Sequence, residues 1–367
     1  MNSLLHKPDW EIAAIVGIML GIGLVTIYSS SGIYALERFG NSSYFFTRQL
    51  LWIVLGIIAG FFAMQFDHRK LKFWTRPLLA VSIILLVAVL FLGHSVGGAS
   101  RWLRIGGIGF QPSELAKLSL ILFTAYYCDK KHSRIEHFLR GLFPLLLVLG
   151  FVCGLIFVQP DLGTPALILA TCLTIIFLGG AKIMQFASLF GVVSFLVGIA
   201  IWMKPYRRKR LLAFLNPWED VHGTSYQLIQ SLLAMGSGGL VGVGLGDSHS
   251  KLMYLPEPHT DFIFPILAEE WGIVGSFAIL ALFARLAWKG FQVAVDAPEL
   301  FSTLLAGGIT TLILYQACFN IAMVTGCIPT KRLPLPFISF GGSSLVISLT
   351  MIGILLNISR FSPRTNR

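Results

Sequence analysis

The sequence predicts an all-α polytopic membrane protein: about ten transmembrane helices, with one large extracytoplasmic loop between helices 7 and 8. Three observations carry that prediction. Of the 367 residues, 55% are hydrophobic and only 12% charged, against about 25% charged in an ordinary soluble domain. Ten apolar stretches approach the roughly 20 residues needed to cross about 30 Å of hydrocarbon. Connections between them are short, except for residues 204–264.

In order, the stretches fall near residues 11–31, 47–65, 76–93, 113–128, 140–158, 164–180, 184–203, 265–288, 303–324 and 343–358. Lys and Arg orient them, because cytoplasmic loops are enriched in both. Arg69, Lys70, Lys72 and Arg76 follow the second stretch, and Lys130, Lys131, Arg134 and Arg140 follow the fourth. Arg360, Arg364 and Arg367 follow the tenth. Both termini are therefore expected in the cytoplasm. The first stretch is too long for the apolar core of a cleavable signal and has no convincing small-residue cleavage site, so it is expected to stay. Cys128, Cys153, Cys172, Cys318 and Cys327 lack CxxC spacing, which points to core packing rather than a disulfide framework or a zinc site. The net charge of +11 largely reflects the loop bias. With no soluble basic domain to carry it, the expected partner is membrane lipid and not nucleic acid.

The chain reads as one domain, 1–367, in which residues 204–264 form the outer loop. "FLNPWED" supplies aromatic and turn residues, "YQLIQSLLAMG" has helical spacing, and "GSGGLVGVGLG" is glycine-rich. This composition predicts helices and turns folded against the bundle, since non-helical backbone at membrane depth must be buried in protein or line a wet cavity. The glycine run contains a GxGxxG-like spacing, but no strand precedes it and the dinucleotide reading fails. A close-packed turn, or a place where backbone approaches a ligand, is expected instead.

Charges inside the spans are functional candidates by default. In "QPSELAKLSLILF", Glu114 and Lys117 are three apart and share a helical face. They read either as a structural ion pair or as a cavity-facing cation held by its carboxylate for an anionic ligand. Arg207, Arg208, Lys209 and Arg210 sit on the expected outer side, against the loop bias. They either reach lipid headgroups or join Arg101 and Arg104 of "SRWLRIGG" in binding phosphate, whose oxygens match the guanidinium fork. Of Glu269 and Glu270, at least one is expected to face a cavity. Asp161, in "QPDLGT", suits a helix N-cap.

The stretch "LPEPHTDFIF" places Glu257, His259 and Asp261 together. Pro256 and Pro258 favour an extended chain, in which alternate side chains share a face. Three readings stay open: a metal site of carboxylate and imidazole, a cap for the eighth span by Asp261, or Asp261 acting as general base at the membrane surface.

Taken together, "GASRWLRIGGIGFQPSELAKL", "QPDLGT", "FLNPWED…GTSYQLIQSLLAMGSGGLVGVGLG", "KLMYLPEPHTDFIFPILAEEWG" and "PTKRLPLPFISFGGSS" resemble the SEDS family (shape, elongation, division and sporulation), in that family's order and across the whole chain. The segment "TGCIPTKRLPLPFISFGGSS" looks more like the cell-division branch than the elongation branch, with the same polymerase acting in elongation or sporulation as the alternative. Phe340, Asn216 and Pro265 depart from the family's usual residues, and none of these departures removes a charged group from the site.

The resemblance implies a peptidoglycan glycosyltransferase in the bacterial cytoplasmic membrane, polymerising lipid II at the outer face for septal wall synthesis. It also implies a class B penicillin-binding protein and other divisome membrane proteins as partners. Asp261 matches the family's essential outer-loop aspartate and is the expected base. Lys117, with Glu114 orienting it, and some of Arg101, Arg207, Arg208 and Arg210 are candidates for pyrophosphate. Ser339 and Ser343 are weaker candidates for sugar contacts. No permanent metal is expected; a divalent cation, Mg²⁺ or Mn²⁺, would fall near Glu257 or His259. A lipid II flippase and an inactive scaffold are the competing classes. Transport is disfavoured by the lack of an inverted repeat and by polar motifs concentrated on one side.

Overall fold

The computed structural model describes residues 6–96, 99–105, 108–159, 161–203, 208–209, 212, 214–220, 223, 225–248, 259–331 and 333–361. Helices dominate. They are α1 (Trp10–Phe39), α2 (Tyr44–Gln65), α3 (Leu71–Leu92), α4 (Pro112–Lys130), α5 (Phe143–Val158), α6 (Gly163–Leu178) and α7 (Ile183–Trp202). After these come α8 (Tyr226–Ser237), α9 (Ile263–Val295), α10 (Leu300–Val324) and α11 (Gly342–Ser359). All ten apolar stretches fall on helices, and α8 lies in the long loop.

Among the described residues, seven helical spans are long and apolar enough to cross a membrane. They comprise α1, α2, α3, α5 with the turn before it, α9, α10 and α11. The polytopic helical class is borne out, while seven of the ten expected spans meet the length and hydropathy of a membrane crossing. Helix α4 carries Glu114, Lys117, Asp129 and Lys130, and α6 is only 16 residues long.

Local chemistry sets several boundaries. Asp9 caps α1 by accepting the Glu11 N–H at 3.0 Å, and Gly40 ends it with φ of 68°, the left-handed cap that glycine adopts without penalty. Pro112 opens α4, where its missing N–H is not needed. The sequence reading anticipated no strands, yet β1 (His94–Val96), β2 (Ala99–Ile105) and β3 (Ile108–Phe110) form an antiparallel meander between α3 and α4. Arg104 pairs with Gly109 and Leu103 with Phe110 in its second ladder.

Helices α10 and α11 are the most enclosed. Backbones approach closely between α2 and α11: a Cβ on Gly60 would lie 2.7 Å from the Leu349 carbonyl oxygen, and one on Gly353 2.1 Å from the Gly60 carbonyl oxygen. Small residues permit this contact, which supplies the packing that holds helices together where lipid competes for apolar surface. Three cysteines, Cys128, Cys153 and Cys172, are buried in the core as expected, whereas Cys318 and Cys327 are exposed, and all five are free.

At one end of the bundle the two ends of the chain meet. The His6 N–H donates to the Arg360 carbonyl at 2.9 Å, and the Asp9 N–H to Ser359 Oγ at 3.1 Å. Lys289 of α9 joins them, 2.7 Å from Glu11 and 3.4 Å from Asp9.

Helix α9 is broken at Gly272, with φ 67° and ψ −162°. In an unbroken helix Ile273 and Val274 would donate to the carbonyls of Glu269 and Glu270. The glycine-rich turn after α8 takes all four groups instead. Ile273 and Val274 donate to Gly239 and Leu240 at 3.0 and 3.2 Å, while Val243 and Gly244 donate to Glu269 and Glu270 at 3.0 and 3.2 Å. The expected close-packed turn is this one, and its glycines let two backbones touch.

Candidate active site

Asp261 lies two residues before α9, half-buried. Its main chain is held from α10: Asn320 Nδ2 donates to the Asp261 carbonyl at 2.9 Å and to the Leu333 carbonyl at 2.7 Å. One turn away, Gln316 Nε2 donates to the Pro334 carbonyl at 2.9 Å and its Oε1 accepts from Lys117 Nζ at 3.1 Å. Lys117 also pairs with Glu114 at 2.7 Å.

The segment after α10 covers these groups. Phe337 has φ of 65°, the one positive value for a non-glycine among the described residues. Strain of this kind persists only where packing over-determines the backbone. Here the turn sits against α1, where a Cβ on Gly23 would lie 2.7 Å from the Ile338 carbonyl. Ser339 Oγ accepts from the Leu335 N–H at 2.8 Å, and the Ser339 carbonyl accepts from Gln49 at 3.3 Å. The Phe340 N–H then donates to the His259 carbonyl at 2.9 Å. Ser343 Oγ accepts from the Gln111 N–H at 3.2 Å, tying α11 to the start of α4.

The structure therefore brings Asp261, His259 and Ser339 into one connected corner, with Lys117 and Glu114 joined to it through Gln316. It also alters several expectations. Lys117 is 2% exposed and Glu114 4%, so the pair is enclosed and does not face a cavity. Burial makes a partner obligatory for each charge, which explains the short bond. Ser339 and Ser343 are buried and their hydroxyls accept backbone N–H groups, so neither is free for a sugar.

His259 is 4% exposed. Its ring lies 4.0 Å from Phe45, 5.6 Å from Phe340 and 5.8 Å from Tyr34, centroid to centroid. Burial pushes its pKa down to about 4, so the ring is neutral at physiological pH. Nδ1 has no hydrogen-bond partner among the described residues. Boxed by aromatic carbon, the ring does not fit the expected cation or substrate contact. Among the described residues no group of three or more His, Cys, Asp or Glu is arranged to hold a metal.

Arg101 donates through Nε to the Gln159 carbonyl at 3.0 Å and lies 3.8 Å from Asp161, so β2 is tied to the corner between α5 and α6. Asp161 caps α6 as expected, accepting from Gly163 and Thr164 at 3.0 and 3.2 Å. Arg208 is exposed and stands over the Trp202 ring at 5.4 Å, at the end of α7. Arg207, Arg210 and Glu257 lie outside the described residues. Glu269 and Glu270 are both buried and do not open onto a cavity. Ser248 donates to Glu269 at 2.5 Å, and Glu270 accepts from Ser29 and from the Gly246 N–H.

Gln316, Asn320 and Gln49 escaped the sequence reading, whose search inside the spans singled out charged residues. The available signal was the pair of neutral amides four apart in the otherwise apolar "LYQACFNIAM".

A multi-pass helical membrane protein with a buried ion pair and one half-buried carboxylate at a helix entry is the class these features define. The model of the cell cycle protein family that includes FtsW, RodA and SpoVE matches residues 10–364, and the chain belongs to that family. It is 44% identical to stage V sporulation protein E of Bacillus subtilis over 99% of this chain and 100% of that one. It is 41% identical to a probable peptidoglycan glycosyltransferase FtsW of a Geobacter species, over 96% of each chain. Among solved structures it resembles a chain studied for the structural coordination of polymerization and crosslinking by a peptidoglycan synthase complex. That match has a TM-score of 0.80 and 30% identity, covering 96% of this chain and 98% of the other. RodA of Thermus thermophilus superposes with a TM-score of 0.70 at 26% identity, covering 97% and 98%.

Proposed function

We propose that this chain is a peptidoglycan glycosyltransferase that polymerises lipid II at the outer face of the bacterial cytoplasmic membrane, with both termini inside. The observation that carries the reading is Asp261. It is the half-buried carboxylate at the entry of α9, fixed by its own main chain to α10, in a chain whose relatives at about 40% identity are named for this activity.

In the proposed step, the Asp261 carboxylate accepts the proton of the acceptor sugar's 4-hydroxyl as that oxygen attacks the donor's anomeric carbon. The bond from that carbon to pyrophosphate breaks, and undecaprenyl pyrophosphate leaves with the electron pair. The anomeric configuration inverts. A carboxylate near pKa 4 is a weak base for an alcohol, so proton transfer accompanies bond formation. General-base catalysis of this kind contributes about 10²–10⁴-fold.

Lys117 is joined to the Asp261 network through Gln316 and is held by Glu114, but it is enclosed, so contact with pyrophosphate requires the packing around it to open. Arg208, which is exposed, is the better-placed headgroup contact, and Arg207 and Arg210 are its neighbours in sequence. A class B penicillin-binding protein is the proposed partner, supported by the likeness to a subunit of a peptidoglycan synthase complex. A septal role in division is favoured, with sporulation the alternative; the FtsW and SpoVE proteins, at 41% and 44% identity over nearly the whole chain, support the two.

Purified chain, with and without a class B penicillin-binding protein, is given labelled lipid II and the products are resolved as glycan ladders. Polymer from wild type that disappears in Asp261→Asn is the expected result. A folded wild type that makes none, with partner and divalent cation supplied, turns the reading toward transport or scaffolding.

A further inference from the structure

Gln316 and Asn320 stand one helical turn apart on α10, a rise of about 6 Å. Gln316 accepts from the Lys117 ammonium at 3.1 Å, and Asn320 donates to the Asp261 carbonyl at 2.9 Å. With their remaining N–H groups the same two amides clasp consecutive carbonyls of the covering segment, Pro334 at 2.9 Å and Leu333 at 2.7 Å. From Leu333 the chain runs to Phe340, which returns a hydrogen bond to His259, two residues from Asp261. A closed circuit results: Asp261 to Asn320, to Leu333, to Phe340, to His259 and back.

We infer that Gln316 and Asn320 are positioning residues that fix the separation between the Lys117 cation and the main chain that carries Asp261. The meaning of that separation for catalysis rests on the transferase reading above. Asn320 is fully buried and Gln316 is 3% exposed, so neither meets substrate and both act through the groups they hold. Helix α10 is among the most enclosed elements, and a rigid rod is the right reference from which to space two groups on different elements. The spacing matters because a misplacement of about 1 Å in a reacting group costs on the order of 10²-fold in rate. Neutral amides suit the task. Each offers two N–H donors and an acceptor without adding a third charge beside the Lys117–Glu114 pair.

The test uses the full-length chain in detergent or nanodiscs. Asn320→Leu keeps the shape and removes the donors; Asn320→Asp keeps the shape and sets oxygens against the two carbonyls. Gln316→Leu is the companion at the Lys117 end. For Asn320→Leu, kcat for labelled lipid II is expected to fall by about ten-fold or more, with KM within two-fold and the chain still folded. Asn320→Asp, which buries a carboxyl against two carbonyls, is expected to lose the same activity and to melt lower as well. Amide exchange is expected to rise in peptides covering 259–263 and 333–340 and to stay slow within α10. Wild-type kcat in Asn320→Leu with unchanged exchange overturns the inference, as does exchange that rises throughout the chain, which marks general destabilisation. Asp261→Asn runs alongside. If it polymerises like wild type, the assignment of the base fails, and the exchange pattern alone decides whether the amides hold the segment.

Discussion

A Cβ on Gly272 would stand 2.6 Å from the carbonyl oxygen of Leu240. That distance lies inside any real carbon–oxygen contact, so the break in α9 and the glycine turn that repairs it are fitted to each other. Gly272 has φ of 67°, Gly242 of 89° and Gly246 of 88°, but only the first two also meet neighbouring backbone. Gly246→Ala is expected to lose about 1–3 kcal/mol through left-handed backbone alone. Gly242→Ala, whose Cβ would overlap the Glu270 carbonyl, is expected to lose clearly more. Thermal unfolding in detergent compares the two directly; equal losses would mean that the turn is not clamped to α9.

The buried pair of Glu114 and Lys117 yields a second prediction. Removing one partner leaves the other charge unpaired in the core, at a cost of about 3–5 kcal/mol, whereas replacing both with neutral residues of similar size is often close to neutral. Lys117→Met is therefore expected to unfold at much lower temperature than Glu114→Gln combined with Lys117→Met. A double-mutant cycle on the melting midpoint checks it. Additive losses would show that the pair is not coupled.

His259 makes stability depend on pH. Its folded-state pKa is depressed to about 4 from an ordinary 6.5 because burial disfavours the charged ring. The unfolded chain binds the proton first as pH falls. The stabilisation is therefore complete above about pH 6.5 and is lost progressively down to about pH 4, by roughly 3 kcal/mol if the whole shift is expressed. His259→Phe fits the aromatic surroundings and is expected to flatten that part of the stability profile. An unchanged slope would assign the acid sensitivity to other groups.

Asp261→Asn is expected to reduce polymerisation by about 10²–10⁴-fold, the range for loss of a general base, while membrane insertion and association with a penicillin-binding protein persist. Glycan ladders and co-purification measure the two properties separately. Loss of both would make Asp261 structural.

Much of this was legible in the sequence because membrane burial forces a plain vocabulary. Apolar length marked the helices, and the three-residue spacing of Glu114 and Lys117 put them within reach of one another. Asp161 also showed itself as a cap. What stayed hidden depended on partners distant in sequence. Nothing near Gly272 announces that residues 239–244 will complete its hydrogen bonds. Arg101 read as an anion contact, because its tie to the corner at Gln159 exists only in three dimensions. The meander at 94–110 was missed because its strands are short and set among glycines. Gln316 and Asn320 were missed for a different reason: neutral amides barely disturb hydropathy, although a buried amide needs its partners as surely as a charge does.

The meeting of His6 with Arg360, and of Asp9 with Ser359, has a consequence in parity. A chain that leaves and re-enters the same side of a bilayer crosses it an even number of times. If all seven of the most apolar spans cross, they are not the full set. An odd number of further crossings then has to come from the remaining helices, α4, α6 and α7 among them. Helix α4, with its buried charges, carries its claim to the membrane in Lys117 and Glu114 neutralising one another rather than in greasiness.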